Sequence, residues 1–99
     1  MVVLRKEGHG NYGFSIRTKT GGILFSSTTY RSEEEVNELI EKLNTSFEDS
    51  FYVDRHTDHH GQFFFTLKNN LGHIVGHGNL YDSEPGLENG IKNFKSALG

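Results

Sequence analysis

The sequence predicts an α+β fold: two tandem β-β-β-α repeats forming one antiparallel sheet with both helices on one face. Three observations carry this. A constant offset of 51 takes Gly10 to Gly61, Phe14 to Phe65, Gly21 to Gly72, Ile23 to Ile74, Tyr30 to Tyr81, Ser32 to Ser83 and Ile40 to Ile91. Within each copy the hydrophobic period changes once, from two to about 3.6 residues, as happens where strands hand over to a helix. Finally, 99 residues suffice for one core but not for two ordinary independent domains, so the repeats, 1–49 and 50–99, are expected to share it as a single domain.

The elements follow in order. Val2-Val3-Leu4-Arg5 and Phe51-Tyr52-Val53-Asp54-Arg55 read as the opening strands of the two copies. Tyr12, Phe14 and Ile16, and likewise Phe63, Phe65 and Leu67, recur at every second position, so each next strand has one apolar face. Lys19-Thr20-Gly21-Gly22 and Asn69-Asn70-Leu71-Gly72 supply turn residues before Ile23-Leu24-Phe25 and Ile74-Val75-Gly76 resume a strand, which predicts a hairpin in each copy. Simple alternation places His73 and His77 on the same side of that last strand as Val75.

Ser32 stands three residues before Glu35, a capping-box spacing, and Val36, Leu39, Ile40, Leu43 and Phe47 form an apolar stripe. One helix from about Ser32 to about Phe47 is expected. In the second copy Ser83 is the equivalent cap, Pro85 suits a first turn, and Leu87, Ile91, Phe94 and Leu98 make the stripe. Gly90 weakens this helix and is expected where its backbone closely approaches the sheet or the other helix.

Composition excludes more than it proposes. Ten basic and 13 acidic side chains leave a net charge of −3, and neither half is a basic patch, which disfavours a duplex nucleic-acid or anionic-membrane partner. There is no cysteine, so disulfides, thiolate metal sites and a cysteine nucleophile are absent together. No apolar run approaches the length of a membrane span. A cytoplasmic location is the resulting expectation.

The stretch Gly61-Gln62-Phe63-Phe64-Phe65-Thr66-Leu67-Lys68, the Asn-rich turn to Gly72, then Ile74, Tyr81, Ser83 and Glu88-Asn89-Gly90-Ile91 resemble the repeat of the YegP-like family, small bacterial proteins of uncharacterised function. The first copy is similar at Gly10, Phe14, Ile16, Gly21, Ile23, Ser26, Ser27, Tyr30 and Ser32. The resemblance implies β-β-β-α-β motifs in which the last strand also opens the following unit, a double part for Phe51 to Arg55. It implies no catalytic residue, substrate or cofactor.

Candidate sites lie in the second copy. Phe64 has outward parity, opposite to Phe63 and Phe65, and shares that face with Lys68; Tyr52 and His56 have the same parity on the preceding strand. These four predict an aromatic and basic patch suited to a partner molecule or to a second copy of the chain. His56, Asp58, His59 and His60 are the alternative, because imidazole and carboxylate are ligands for zinc or nickel, although their spacing matches no established metal motif. A third reading stacks a base of single-stranded nucleic acid on Phe64 beside Lys68. The acidic run Glu33 to Glu41 reads as a solvated helix face with several charges favourably placed in the first turn. The leading expectation is a non-catalytic interaction module without a cofactor, with a homodimer through the sheet edge or sheet face as one option.

Overall fold

The alternating segments of the first half form β1 (Val2–Glu7), β2 (Asn11–Arg17) and β3 (Ile23–Ser27), followed by α1 (Glu33–Thr45) and the single turn α2 (Phe47–Ser50). The second half forms β4 (Phe51–Thr57), β5 (Phe63–Asn69), β6 (Ile74–Gly78) and α3 (Glu84–Leu98). The computed structural model describes residues 1–98. All six strands join one antiparallel sheet in the order β1-β2-β3-β6-β5-β4.

The halves meet at β3 and β6. There Ser26 lies opposite His77, its own counterpart under the offset of 51, with Phe25 opposite Gly78 and Ser27 opposite Gly76. The long helices pack on one side of the sheet. Val36 and Leu43 from α1, and Leu87, Ile91, Phe94 and Leu98 from α3, join Phe14, Ile16, Phe25, Phe65 and Leu67 in one buried cluster.

Local chemistry explains the turns. Thr18, Asp58 and Asn69 each begin a loop whose fourth residue is a glycine at positive φ: Gly21 (94°), Gly61 (79°) and Gly72 (82°). Their side-chain oxygens accept from backbone N–H groups inside the loop. Such Asx and Ser/Thr turns help to fix hairpin register locally.

The helices start as their sequences specify. Ser32 Oγ accepts from the Glu35 N–H at 3.2 Å, and Ser83 Oγ accepts from the Gly86 N–H at 3.1 Å. The expected continuous helix to Phe47 is interrupted at Ser46, where ψ is 30°. Thr45 turns its hydroxyl back to the Glu41 carbonyl, and the redirected chain seats the Phe47 ring 6.0 Å from those of Phe51 and Phe94. Gly90 is indeed at a close approach, but its neighbour is the Tyr81 ring, which a Cβ would overlap.

Two further expectations change. β4 pairs with β5 alone and closes one edge of the sheet, so it does not take the double part implied by the family resemblance. In addition, both hairpins carry a β-bulge. Ile16 opposes Phe25 while Arg17 opposes Ile23, and Leu67 opposes Gly76 while Lys68 opposes Ile74, leaving Leu24 and Val75 as extra residues. The extra residues turn into the core, and Ile23 and Ile74 turn outward, 40 % and 51 % exposed.

The seam between the halves limits side-chain size. A Cβ at Gly76 would overlap the Phe25 ring and the Ser26 carbonyl oxygen, whereas one at Gly8 would meet open space. Gly76→Ala should therefore cost about 1–3 kcal/mol in urea unfolding, and Gly8→Ala should stay within about 0.5 kcal/mol of wild type.

Candidate functional site on the helix-free sheet face

A continuous row of side chains crosses the uncovered face of the sheet. Val3, Ser15, Ser26, His77, Thr66 and Asp54 are successive cross-strand partners from β1 to β4. Alternation then puts Tyr52, His56, Phe64 and Lys68 on this same face, as expected from their sequence parity. Their pairings are Tyr52 opposite Lys68 and His56 opposite Phe64.

The structure brings three of these four into a defined arrangement. The His56 and Phe64 rings stack with centroids 4.9 Å apart at 21°. Lys68 Nζ lies 2.9 Å from Asp54 Oδ2, which is also 3.4 Å from His56 Nε2. The same Nε2 is 3.0 Å from Thr66 Oγ1. A hydrolytic relay uses opposite nitrogens of the imidazole for nucleophile and carboxylate, so this set orders a surface and does not have the form of a Ser/Thr-His-Asp relay. Tyr52 stands 46 % exposed beside it.

Hydrogen bonding from the Lys68 ammonium holds the Asp54 carboxyl below its ordinary value, and Asp54 in turn raises Lys68. Lys68 is thus a neutralised cation.

Alternation missed the role of β6. Because Val75 is a bulge residue, His77 faces Thr66 on the open side, opposite to Val75. Phe64, Thr66, Ile74, His77, Asn79 and Leu80 line a trough of about 560 Å³ along β5 and β6. Ile74 and Leu80 form exposed apolar walls. Ile74 was legible as apolar but not as outward, since nothing in a period-two count announces an inserted residue.

The alternative cluster is dispersed. His56 belongs to the stack just described, while Asp58 Oδ1 accepts from the backbone N–H groups of His60 and Gln62, both at 2.9 Å. The Gln62 bond is the main reason the Asp58 carboxyl sits below its ordinary value. His59 and His60 are neighbours on the loop, centroids 4.0 Å apart. Among the described residues, no group of three or more His, Asp or Glu side chains is placed to hold a metal ion. His73 donates its backbone N–H to Asn69 and belongs to the turn.

Residues 58–97 match the model of a family described as a domain of unknown function, DUF1508. The whole architecture is YegP-like. It is similar to the solution structure of a UPF0339 protein from Shewanella oneidensis, with TM-score 0.84 and 21% identity over 99% of this chain and 84% of that one. It is also similar to yegP of E. coli, a protein of unknown function, with TM-score 0.80 and 24% identity over 96% of this chain and 82% of that one. No curated protein matches. The DUF1508 match thus includes the Asp58 turn, Phe64, the trough and α3, and excludes Tyr52 and His56. Among the described residues no helix is long and apolar enough to cross a membrane.

The Asp54–Lys68 pair gives a pH signature. A carboxyl depressed in the fold stabilises it above the unfolded value of 3.8 and loses that contribution as pH falls through the folded value. A lysine raised in the fold stabilises it below 10.5 and loses that contribution as pH rises through the folded value. Urea unfolding of Lys68→Met and wild type should therefore differ by a constant amount between about pH 5 and 9, with the gap closing towards pH 2. At the neighbouring loop, Asp58→Ala should lower the melting temperature and Asp58→Asn should retain most of it, as judged by circular dichroism.

Proposed function

We propose that the protein is a non-catalytic binding module of the cytoplasm, built from two copies of one unit, that receives its partner on the helix-free sheet face. The observation that carries this reading is the trough along β5 and β6. Apolar walls from Phe64, Ile74 and Leu80 enclose the Thr66 hydroxyl and the His77 imidazole, a small number of polar groups among apolar surface. That composition suits an apolar group bearing a hydrogen-bonding function. The nominated residues Tyr52, His56, Phe64 and Lys68 form the flank towards β4, where stacking and the Asp54 pair hold the last three side chains in place.

Rigidity favours binding here. Side chains already fixed by neighbours lose less conformational freedom on association, about 0.5–1.5 kcal/mol for each one that need not be immobilised anew.

Phe64→Ser and Ile74→Ser remove the walls while leaving the opposite, helix-covered core intact. In an NMR screen of small apolar fragments, amide shifts should concentrate at residues 64–68 and 74–80 of the wild type and disappear in both variants. Shifts confined to the helix side would sink the reading. Light scattering of the same samples identifies a second copy as the partner if a concentration-dependent dimer is dispersed by Phe64→Ser.

A further inference from the structure

We propose that the outer edge of β4, with the groove between it and α3, binds an extended peptide as a seventh strand, the peptide presenting both apolar and basic side chains at the every-second positions that face the groove. This site is distinct from the trough and lies on the helix side of the sheet.

The first observation is the edge itself. β4 is seven residues long, and among the described residues its only sheet partner is β5. A strand paired on one side presents alternate N–H and C=O groups on the other, which is the template that strand addition uses. A second observation gives that edge a reader of side chains. A groove of about 390 Å³ runs beside it, lined by Arg55, Thr57, Phe63, Glu84, Leu87 and Glu88. Arg55 and Thr57 alternate with the outward-facing Asp54 and His56, so they project to the helix side of β4. A peptide strand laid against β4 would place every second side chain into this groove, over Phe63 and Leu87.

Charge selects the peptide. Arg55 donates from Nε and Nη2 to the two carboxylate oxygens of Glu88, at 2.7 and 2.8 Å. The arginine is therefore spent on Glu88, and among the described residues Glu84 has no ion-pair partner. The groove carries an uncompensated carboxylate on a chain of net charge −3. A lysine or arginine in the peptide complements it, while the apolar positions meet Phe63 and Leu87.

In two of the three longest registers open to it, a second copy of the chain meets like charges at this edge. Pairing β4 antiparallel with its own symmetry mate over its full length sets Asp54 opposite Asp54, and a shift to the register centred on Arg55 sets Arg55 opposite Arg55. Like charges directly opposite destabilise a strand pair.

The test uses the full chain and a fluorescein-labelled nonapeptide with threonine at its odd positions and valine and lysine in turn at its even positions, followed by anisotropy and by amide shifts. Expected are saturable binding, with shifts at residues 51–57 and in the first two turns of α3, and affinity at least tenfold weaker for the same peptide with glutamate in place of each lysine. N-methylation of alternate peptide amides should abolish binding, because it removes the donors that pair with β4 and leaves side chains and charge unchanged. Glu84→Lys should weaken it at least fivefold, with the fold verified by circular dichroism. Phe64→Ser should leave it unaltered, which separates this site from the sheet face. Absence of saturation at millimolar peptide, retention of affinity after N-methylation, shifts confined to the trough, or a dimer blocked by Thr57→Pro would each overturn the proposal.

Discussion

The structure depends on one ring at its centre. Phe25 lies on β3 next to the seam between the halves, with no accessible surface, and its ring centroid is 4.7 Å from Phe94, 5.9 Å from Phe14 and 6.3 Å from Phe65. It is the point at which the two halves of the sheet and α3 touch. A second large ring cannot occupy the corresponding place in the other half, because the counterpart of Phe25 is Gly76 and a Cβ there already overlaps the Phe25 ring. Gly78 similarly yields its space to Phe65. The near-symmetric chain is therefore asymmetric where symmetry would be costly, since an overpacked centre forces side chains off their rotamers.

That constraint explains why the fold was largely legible. Residues with a local mechanism announced themselves: Ser32 and Ser83 as caps, Gly21 and Gly72 as left-handed turn positions, and Val36, Leu43, Leu87 and Leu98 within the apolar stripes as buried positions of the helices. Departures arose where tertiary packing overrules a period. The break at Ser46 serves the Phe47 ring, and the bulges at Leu24 and Val75 serve the core beneath them. β4 as an edge strand is a property of sheet order, which alternation along one strand does not contain.

The same distinction governs the open face. Tyr52, His56, Phe64 and Lys68 were found from parity because β4 and β5 pair over seven consecutive positions with no irregularity. Asp54 shared that parity, and its importance comes from charge contact with Lys68, which only the cross-strand register brings about. Ile74 and His77 required the bulge to be known. For the Asp58 loop the competing chemistry was readable in part: an Asp followed by Gly61 is as much an Asx turn as a ligand pair, and the backbone N–H groups of His60 and Gln62 win the carboxylate.

The two halves also differ in what they expose. At the positions of His56 and Phe64 the first half carries Arg5 and Gly13. Arg5 donates to the carbonyls of Phe14 and Ser27 and to Glu7, its guanidinium covering the space above Gly13. A side chain at residue 13 would displace it, since a Cβ there would come 2.7 Å from Nη2. The first half thus closes its own surface with a cation whose two terminal nitrogens bond internally. In the second half a stacked imidazole and phenyl ring take that place and border the trough. Removing apolar surface from water is the largest general driving force for association, and the second half retains such surface where the first has covered it.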